Sequence, residues 1–139
     1  MADIFDAAKR SEVMSSIRSK NTKVELLVFR HLRTEGVYFQ KHYRTKFGVR
    51  VDIALPRKKK AVFIDGDFWH GRTIDKVMAR RGANDFWTKK LQRNKERDKE
   101  QAQLLAANGW TFLRAWESEI VRKATQASAL KRIKRFLTL

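Results

Sequence analysis

Apolar positions recur along this chain in two periods, and each change of period marks a new element. Residues 1–20 are polar and mildly helical, with Ala7, Ala8, Val13, Met14 and Ile17 spaced loosely at three to four. Thr22, Lys23, Val24 and Glu25 make a capping-box pattern. Leu26, Leu27, Phe29 and Leu32 extend it into an amphipathic helix that closes at Gly36. Residues 37–43 alternate as a strand, 44–50 read as a basic turn around Gly48, and 49–55 form a second strand containing Asp52. A charged turn, Pro56 to Lys60, leads into a third strand at 61–65. Residues 66–83 show no clear period and read as a long functional loop with a scrap of helix at 74–78. Asn84 is then expected to cap a long polar helix, 85–107, with Phe86, Trp87, Leu91, Asn94, Asp98, Ala102 and Leu105 along one side. Asn108 and Gly109 stop it. A fourth strand at 110–116 precedes a last amphipathic helix, 117–137, with Ile120, Val121, Ala124, Leu130, Ile133 and Phe136 facing inward. The order α-α-β-β-β-α-β-α predicts an α/β fold in a single domain, 1–139. Its αβββαβ core is a mixed four-stranded sheet flanked by helices.

Composition narrows the partner. The chain has 139 residues, 42% of them hydrophobic and 11% aromatic, which suffices for a folded core. Thirty-two Lys and Arg against fifteen Asp and Glu leave a formal net charge of +17. Such an excess repels itself on a small domain and suits a polyanionic partner, DNA or RNA before an anionic membrane. No apolar run approaches the ~18 residues of a membrane span. The opening MADIFDAAKR has no basic start followed by an apolar core, so no secretion signal is expected and the cytoplasm is the plain location. There is no cysteine, hence no disulfide framework and no thiolate zinc site.

The candidate chemistry concentrates in residues 62–70, VFIDGDFWH, where a buried-strand pattern ends in Asp65, Gly66 and Asp67, followed by Phe68, Trp69 and His70. Asp52, amid apolar strand residues, is either an ordinary aspartate on an open strand face or a buried carboxylate that needs a cation. Asp65 ends the neighbouring strand, and adjacent strands lie about 4.8 Å apart, so both carboxylates can reach one ion. Such hard oxygen ligands select Mg2+, with Mn2+ as the other candidate. His70 suits a general base near neutral pH, and Asp98 can reach its second ring nitrogen from a helix face shared with Asn94. Glu25 has an ordinary use as a cap and Met14 as a core residue. His31, His42 and His70 match no zinc spacing, and no glycine-rich phosphate loop is present.

FIDGDFWH at 63–70, NDFWTKKLQRNKERD at 84–98, the GVRVD ending in Asp52, the opening MAD with Arg10, Ser11 and Met14, and Gly109-Trp110 with Trp116-Glu117 resemble the very short patch repair endonucleases. These have a restriction-endonuclease-like fold and nick DNA beside a T:G mismatch. The resemblance implies that Asp52 binds Mg2+ with the Ile64 carbonyl as another ligand, that His70 activates water, that Asp98 supports it, and that Glu25 acts near the phosphate or metal. Met14, Phe68 and Trp69 match positions that wedge into the base stack, where a mismatched step is the cheaper one to open. Residues 1–20 become a DNA-contacting segment, and 66–83 an active-site and wedge loop with Arg72 and Lys76 facing DNA. A monomer acting on mismatched or distorted double-stranded DNA is implied, with repair proteins as further partners.

Two departures matter. Family members of the mismatch-repair type hold a structural zinc on Cys and His ligands. The matching positions here are Asp67, Arg72, Ile74 and Ser118, so no structural zinc is expected. A family histidine is replaced by Asp65, which resembles homing-type nucleases with the order Glu, Asp, His, Asp, met here by Glu25, Asp52, His70 and Asp98. A nuclease without mismatch preference is therefore the second reading, and a DNA-binding module without catalysis the third.

Overall fold

A computed structural model of the protein describes residues 22–68 and 70–139. Met14, the helical reading of residues 1–20 and Trp69 fall outside the described residues. Helix α1 (Lys23–Thr34) is followed by strands β1 (Gln40–Arg44) and β2 (Arg50–Leu55). A 3-10 turn, Pro56–Lys58, leads to β3 (Lys60–Asp65), and helices α2 (Ile74–Arg81) and α3 (Phe86–Ala107) come next. Strand β4 (Thr111–Trp116) and helices α4 (Glu117–Val121) and α5 (Lys123–Thr138) close the chain. The sheet order is β1-β2-β3-β4, antiparallel up to β3 and parallel between β3 and β4, so it is mixed as expected.

The third strand is central and covered on both faces, which is why residues 61–65 are all buried. Val62 and Ile64 pack with Val28, Phe29 and Leu32 of α1 and Ile133 and Leu137 of α5. Ala61 and Phe63 face the other way, onto Leu105 of α3 and Trp110. The same period-two alternation therefore feeds two cores, one on each side of the sheet.

That alternation breaks once, in the middle of β2. Val51 and Ala54 belong to the α3-side core and Ile53 to the α1-side core, so Val51 and Ile53 lie on opposite faces although two residues apart. The register places His42 between the pairs Lys41↔Ile53 and Tyr43↔Val51, hence opposite Asp52. His42 has a φ of 51°, a left-handed conformation that a side chain adopts only at a cost. The consecutive residues Lys41 and His42 consequently both reach the Phe29 ring, at 6.0 and 5.7 Å.

Several sequence expectations are adjusted. The first strand begins at Gln40 rather than 37, because Val37 N–H is used on the Leu32 carbonyl to close α1. The loop at 66–83 contains a full eight-residue helix, α2, where a scrap was expected. Asp85, not Asn84, caps α3, its carboxylate accepting from Trp87 N–H at 2.9 Å. The last helix is broken at Arg122, which is extended. There Thr125 Oγ1 and the Gln126 side chain donate to the carbonyls of Glu119 and Ile120, satisfying the end of α4 without helix continuation. The break shifts the helical phase, leaving Val121 and Ala124 exposed while Leu137 is buried. Among the described residues no helix is long and apolar enough to cross a membrane.

Candidate active site

Strand β3 ends at Asp65, and functional groups gather on both faces of the sheet at that end. On the α1 face, Glu25, His42 and Asp52 each offer a ligand atom, all within 4.8 Å of one another. Glu25 arrives there through its capping role. Its carboxylate accepts from Thr22 N–H at 3.1 Å, its own N–H donates to Thr22 Oγ1 at 3.2 Å, and it is buried. The cap thus brings the Glu25 carboxylate next to His42 and Asp52. His42 Nε2 lies 3.9 Å from Glu25 Oε1, with its ring edge-on to Phe29. Asp52 Oδ2 accepts the Ile64 N–H at 2.7 Å.

Burial pushes the Asp52 carboxyl up to about 7, and the neighbouring Glu25 and Asp65 carboxylates push the same way; only the Ile64 hydrogen bond opposes them. Two carboxylates and an imidazole brought together out of water make a donor set that a divalent cation would satisfy. The residues present fit such an ion, which Asp52 and Glu25 would hold with His42 beside them.

On the α3 face, His70 Nδ1 is 2.7 Å from Asp98 Oδ2 and 3.6 Å from Asp65 Oδ1. Burial pulls the imidazole pKa down, but the Asp98 hydrogen bond and the Asp65 and Asp98 charges outweigh it, and the net shift is upward. The expected His70–Asp98 pairing across 28 residues is therefore present. Asp65 is 2% exposed. Arg114 Nη1 donates to both its oxygens at 3.1 and 3.0 Å, and Arg114 Nη2 donates to the Asp98 carbonyl at 3.3 Å. Burial raises the Asp65 carboxyl, with His70 and Arg114 acting against it. The guanidinium lies 4.2 Å from the ring of Phe63, its neighbour across the parallel strands. Asp65 is thus tied to Arg114 and His70, while the cluster with Asp52 contains His42 instead.

Three residues of the site escape a reading of the sequence. His42 has no spacing signature, and its strand periodicity is interrupted by the backbone turn that aims it. Arg114 reads as one basic residue in an apolar strand. Glu117, half-buried at the start of α4, is raised by burial first and then by Asp67, Glu25 and Asp65. Of the residues read as DNA-facing, Phe68 is 39% exposed and packs edge-on to Trp87, and Lys76 is exposed on α2. Arg72 is engaged within the protein, 3.0 Å from Asp67 and stacked 5.0 Å from the Trp116 ring.

Asp52, Asp65, Glu117 and His70 are all raised in the fold. Groups raised on folding stabilise the protein below their unfolded values and lose that contribution as pH rises through the folded ones. For Asp52 this window runs from 3.8 to about 7. In chelator, the melting temperature should therefore rise as pH is lowered from about 8 to about 5. Asp52→Asn should flatten that slope, and an unchanged slope in thermal melts would show that Asp52 is not desolvated.

Sequence comparisons find relatives along most of the chain. The family model described as "DNA mismatch endonuclease Vsr" matches residues 2–76. The chain is 38% identical over 135 residues to the "Type II nicking enzyme V.NmeAIP" of Neisseria meningitidis serogroup A, covering 97% of this chain and 96% of that protein. It is 36% identical over 115 residues to "Type II nicking enzyme V.HpaIIP" of Haemophilus parainfluenzae, with 82% and 81% covered. To "DNA mismatch endonuclease Vsr" of Escherichia coli K12 it is 33% identical over 119 residues, with 84% and 74% covered. With a mixed sheet of restriction-endonuclease-like form and relatives aligned over most of its length, the chain belongs to the Vsr family and is a DNA endonuclease.

Proposed function

We propose that the protein is a Mg2+-dependent endonuclease that nicks one DNA strand next to a T:G mismatch. The observation that carries the reading is that the His70–Asp98 pair and the partly buried cluster of Glu25, His42 and Asp52 both gather at the end of β3, where Asp65 is felt electrostatically at Asp52. An ionised carboxylate only accepts hydrogen bonds, so Asp98 holds the proton on His70 Nδ1 and leaves the lone pair on Nε2. That nitrogen takes the proton of the attacking water. Asp65, fixed by Arg114, adds its charge 3.6 Å from the same Nδ1, and the Asp98 backbone is fixed by the same guanidinium.

Asp52, with the Ile64 carbonyl and Glu25, is assigned to the ion. Bound there, Mg2+ would neutralise charge on the scissile phosphate and lower the pKa of a coordinated water. Asp65 was read from the sequence as another ligand. Its two hydrogen bonds from Arg114 support a positioning role instead. The family membership and the exposed Phe68 beside the site support mismatch recognition, with Trp69 and Met14 assigned as further wedges. Lys76 is assigned to the phosphate backbone.

His70→Ala should lower the single-turnover rate by about 10²–10⁴-fold without loss of DNA affinity. A loss below about tenfold would remove the proton-acceptor role. The defining assay uses end-labelled duplexes that differ in one T:G or C:G pair, each strand labelled separately, with Asp52→Ala as control. Nicking of the T strand in the mismatched duplex, abolished by Asp52→Ala, is expected. Equal cutting of both duplexes would favour an endonuclease without mismatch preference. Binding of both without cutting would contradict the assigned site.

A further inference from the structure

The segment between β3 and α2 carries His70, and it is fastened in a way the reaction chemistry does not explain. Its backbone is a set of overlapping turns: His70 N–H donates to the Gly66 carbonyl at 3.0 Å, Gly71 N–H to Phe68 at 3.1 Å, and Arg72 N–H to Asp67 at 3.0 Å. On the α3 side it is held by His70 on Asp98, by Phe68 on Trp87, and by Gly71. Gly71 has a φ of +71°, and a Cβ there would stand 2.8 Å from the Lys95 side chain, so the loop and α3 touch closely.

On the opposite side Asp67, braced by Arg72, holds it to the start of α4. Asp67 Oδ1 accepts Ser118 N–H at 3.0 Å, and Oδ2 accepts Ser118 Oγ at 2.7 Å and Arg72 Nη1 at 3.0 Å. Arg72 also donates to Ser118 Oγ at 3.2 Å, lies 3.9 Å from Glu119, and stacks on Trp116. Burial raises the Asp67 carboxyl, yet Ser118 and Arg72 more than offset this, so the ionised form is favoured. Two loop side chains and a serine 51 residues beyond Asp67 thus close a ring across the loop and the start of α4. None of them reaches Asp98, His70 or the Asp52 cluster.

We propose that Asp67 is a positioning residue whose clasp with Arg72 and Ser118 sets the placement of His70 for the reaction. The two anchorages lie on different sides of the loop, and His70 follows Asp67 by three positions, with backbone hydrogen bonds from His70 to Gly66 and from Arg72 to Asp67. Loosening the clasp frees the loop to rotate about its α3 contacts, and a misplacement of about 1 Å costs on the order of 10²-fold in rate. The inference rests on His70 as proton acceptor, so its test reads the ring separately from the rate.

The experiment compares the wild-type chain with Asp67→Ala and Ser118→Ala. Each is measured in single-turnover nicking at saturating Mg2+ and DNA, in DNA binding, and by the imidazole N–H resonances of 15N-histidine-labelled protein. Asp67→Ala should lose about 10–10²-fold in rate with DNA affinity changed less than about threefold, and should broaden or lose the His70 Nδ1 proton signal. Ser118→Ala keeps the backbone N–H bond to Asp67 and should show a smaller loss of the same kind. Arg72→Met added to Asp67→Ala should cost little more, since both remove one unit. An unchanged His70 resonance in Asp67→Ala, whatever its melting temperature, would overturn the clasp as a positioning device. A perturbed resonance with an unchanged rate would instead overturn the role given to His70. If Asp67→Ala does not fold, Ser118→Ala decides by the same two readouts.

Discussion

The Asp52 carboxylate takes the Ile64 N–H at the place where the paired register of β2 and β3 has run out. A side chain there does the work of a strand carbonyl, and much of the site's geometry follows from it. The bond satisfies a donor in a strand buried on both faces, where an unpaired N–H would be costly. It also holds an acidic group out of water beside Glu25, at the cost that the carboxyl is raised to about 7. Opposite it, His42 is turned through a left-handed φ, and the two strands change faces together. A regular β2 would point Val51 and Ile53 the same way and leave no cluster.

Because β3 is central, its end serves both faces of the sheet. Glu25, His42 and Asp52 gather on the α1 side, and Asp65, His70, Asp98 and Arg114 on the α3 side. Electrostatics joins them: Asp65 is felt at Asp52, and Glu117 is raised by Glu25 from one group and Asp65 from the other. The proposed mechanism divides the labour between the two faces, assigning cation binding to the Asp52 cluster and proton handling to the His70–Asp98 pair. The +17 charge of the chain draws the polyanion to a site that is itself locally acidic.

Much of this is legible in the sequence where the signal is local. The apolar run ending in Asp65, the capping box at Thr22 and Glu25, and Asn94 with Asp98 on one helix face are period and spacing arguments, and they hold in the structure. What was not legible depends on contacts across the fold. His42 is aimed by a backbone turn that no nearby glycine announces. Arg114 meets Asp65 across 49 residues, and Ser118 meets Asp67 across 51. The final helix breaks at Arg122 although the chain there has neither Gly nor Pro, because Thr125 and Gln126 reach back to cap α4. Strand adjacency brings Asp65 to the site but gives no sign that Arg114, in the next strand, donates to both its oxygens.

The central claim is that the cation set and the proton-handling pair form one site, and paramagnetic line broadening tests it directly. Mn2+ would be titrated below one equivalent into the 15N-histidine-labelled protein without DNA, and the imidazole signals of His42 and His70 followed in parallel with Asp52→Asn. Early broadening of both signals in the wild-type chain, absent in the variant, is the predicted result. A His70 signal that stays sharp while His42 broadens would separate the two groups, and broadening that persists in Asp52→Asn would place the ion elsewhere.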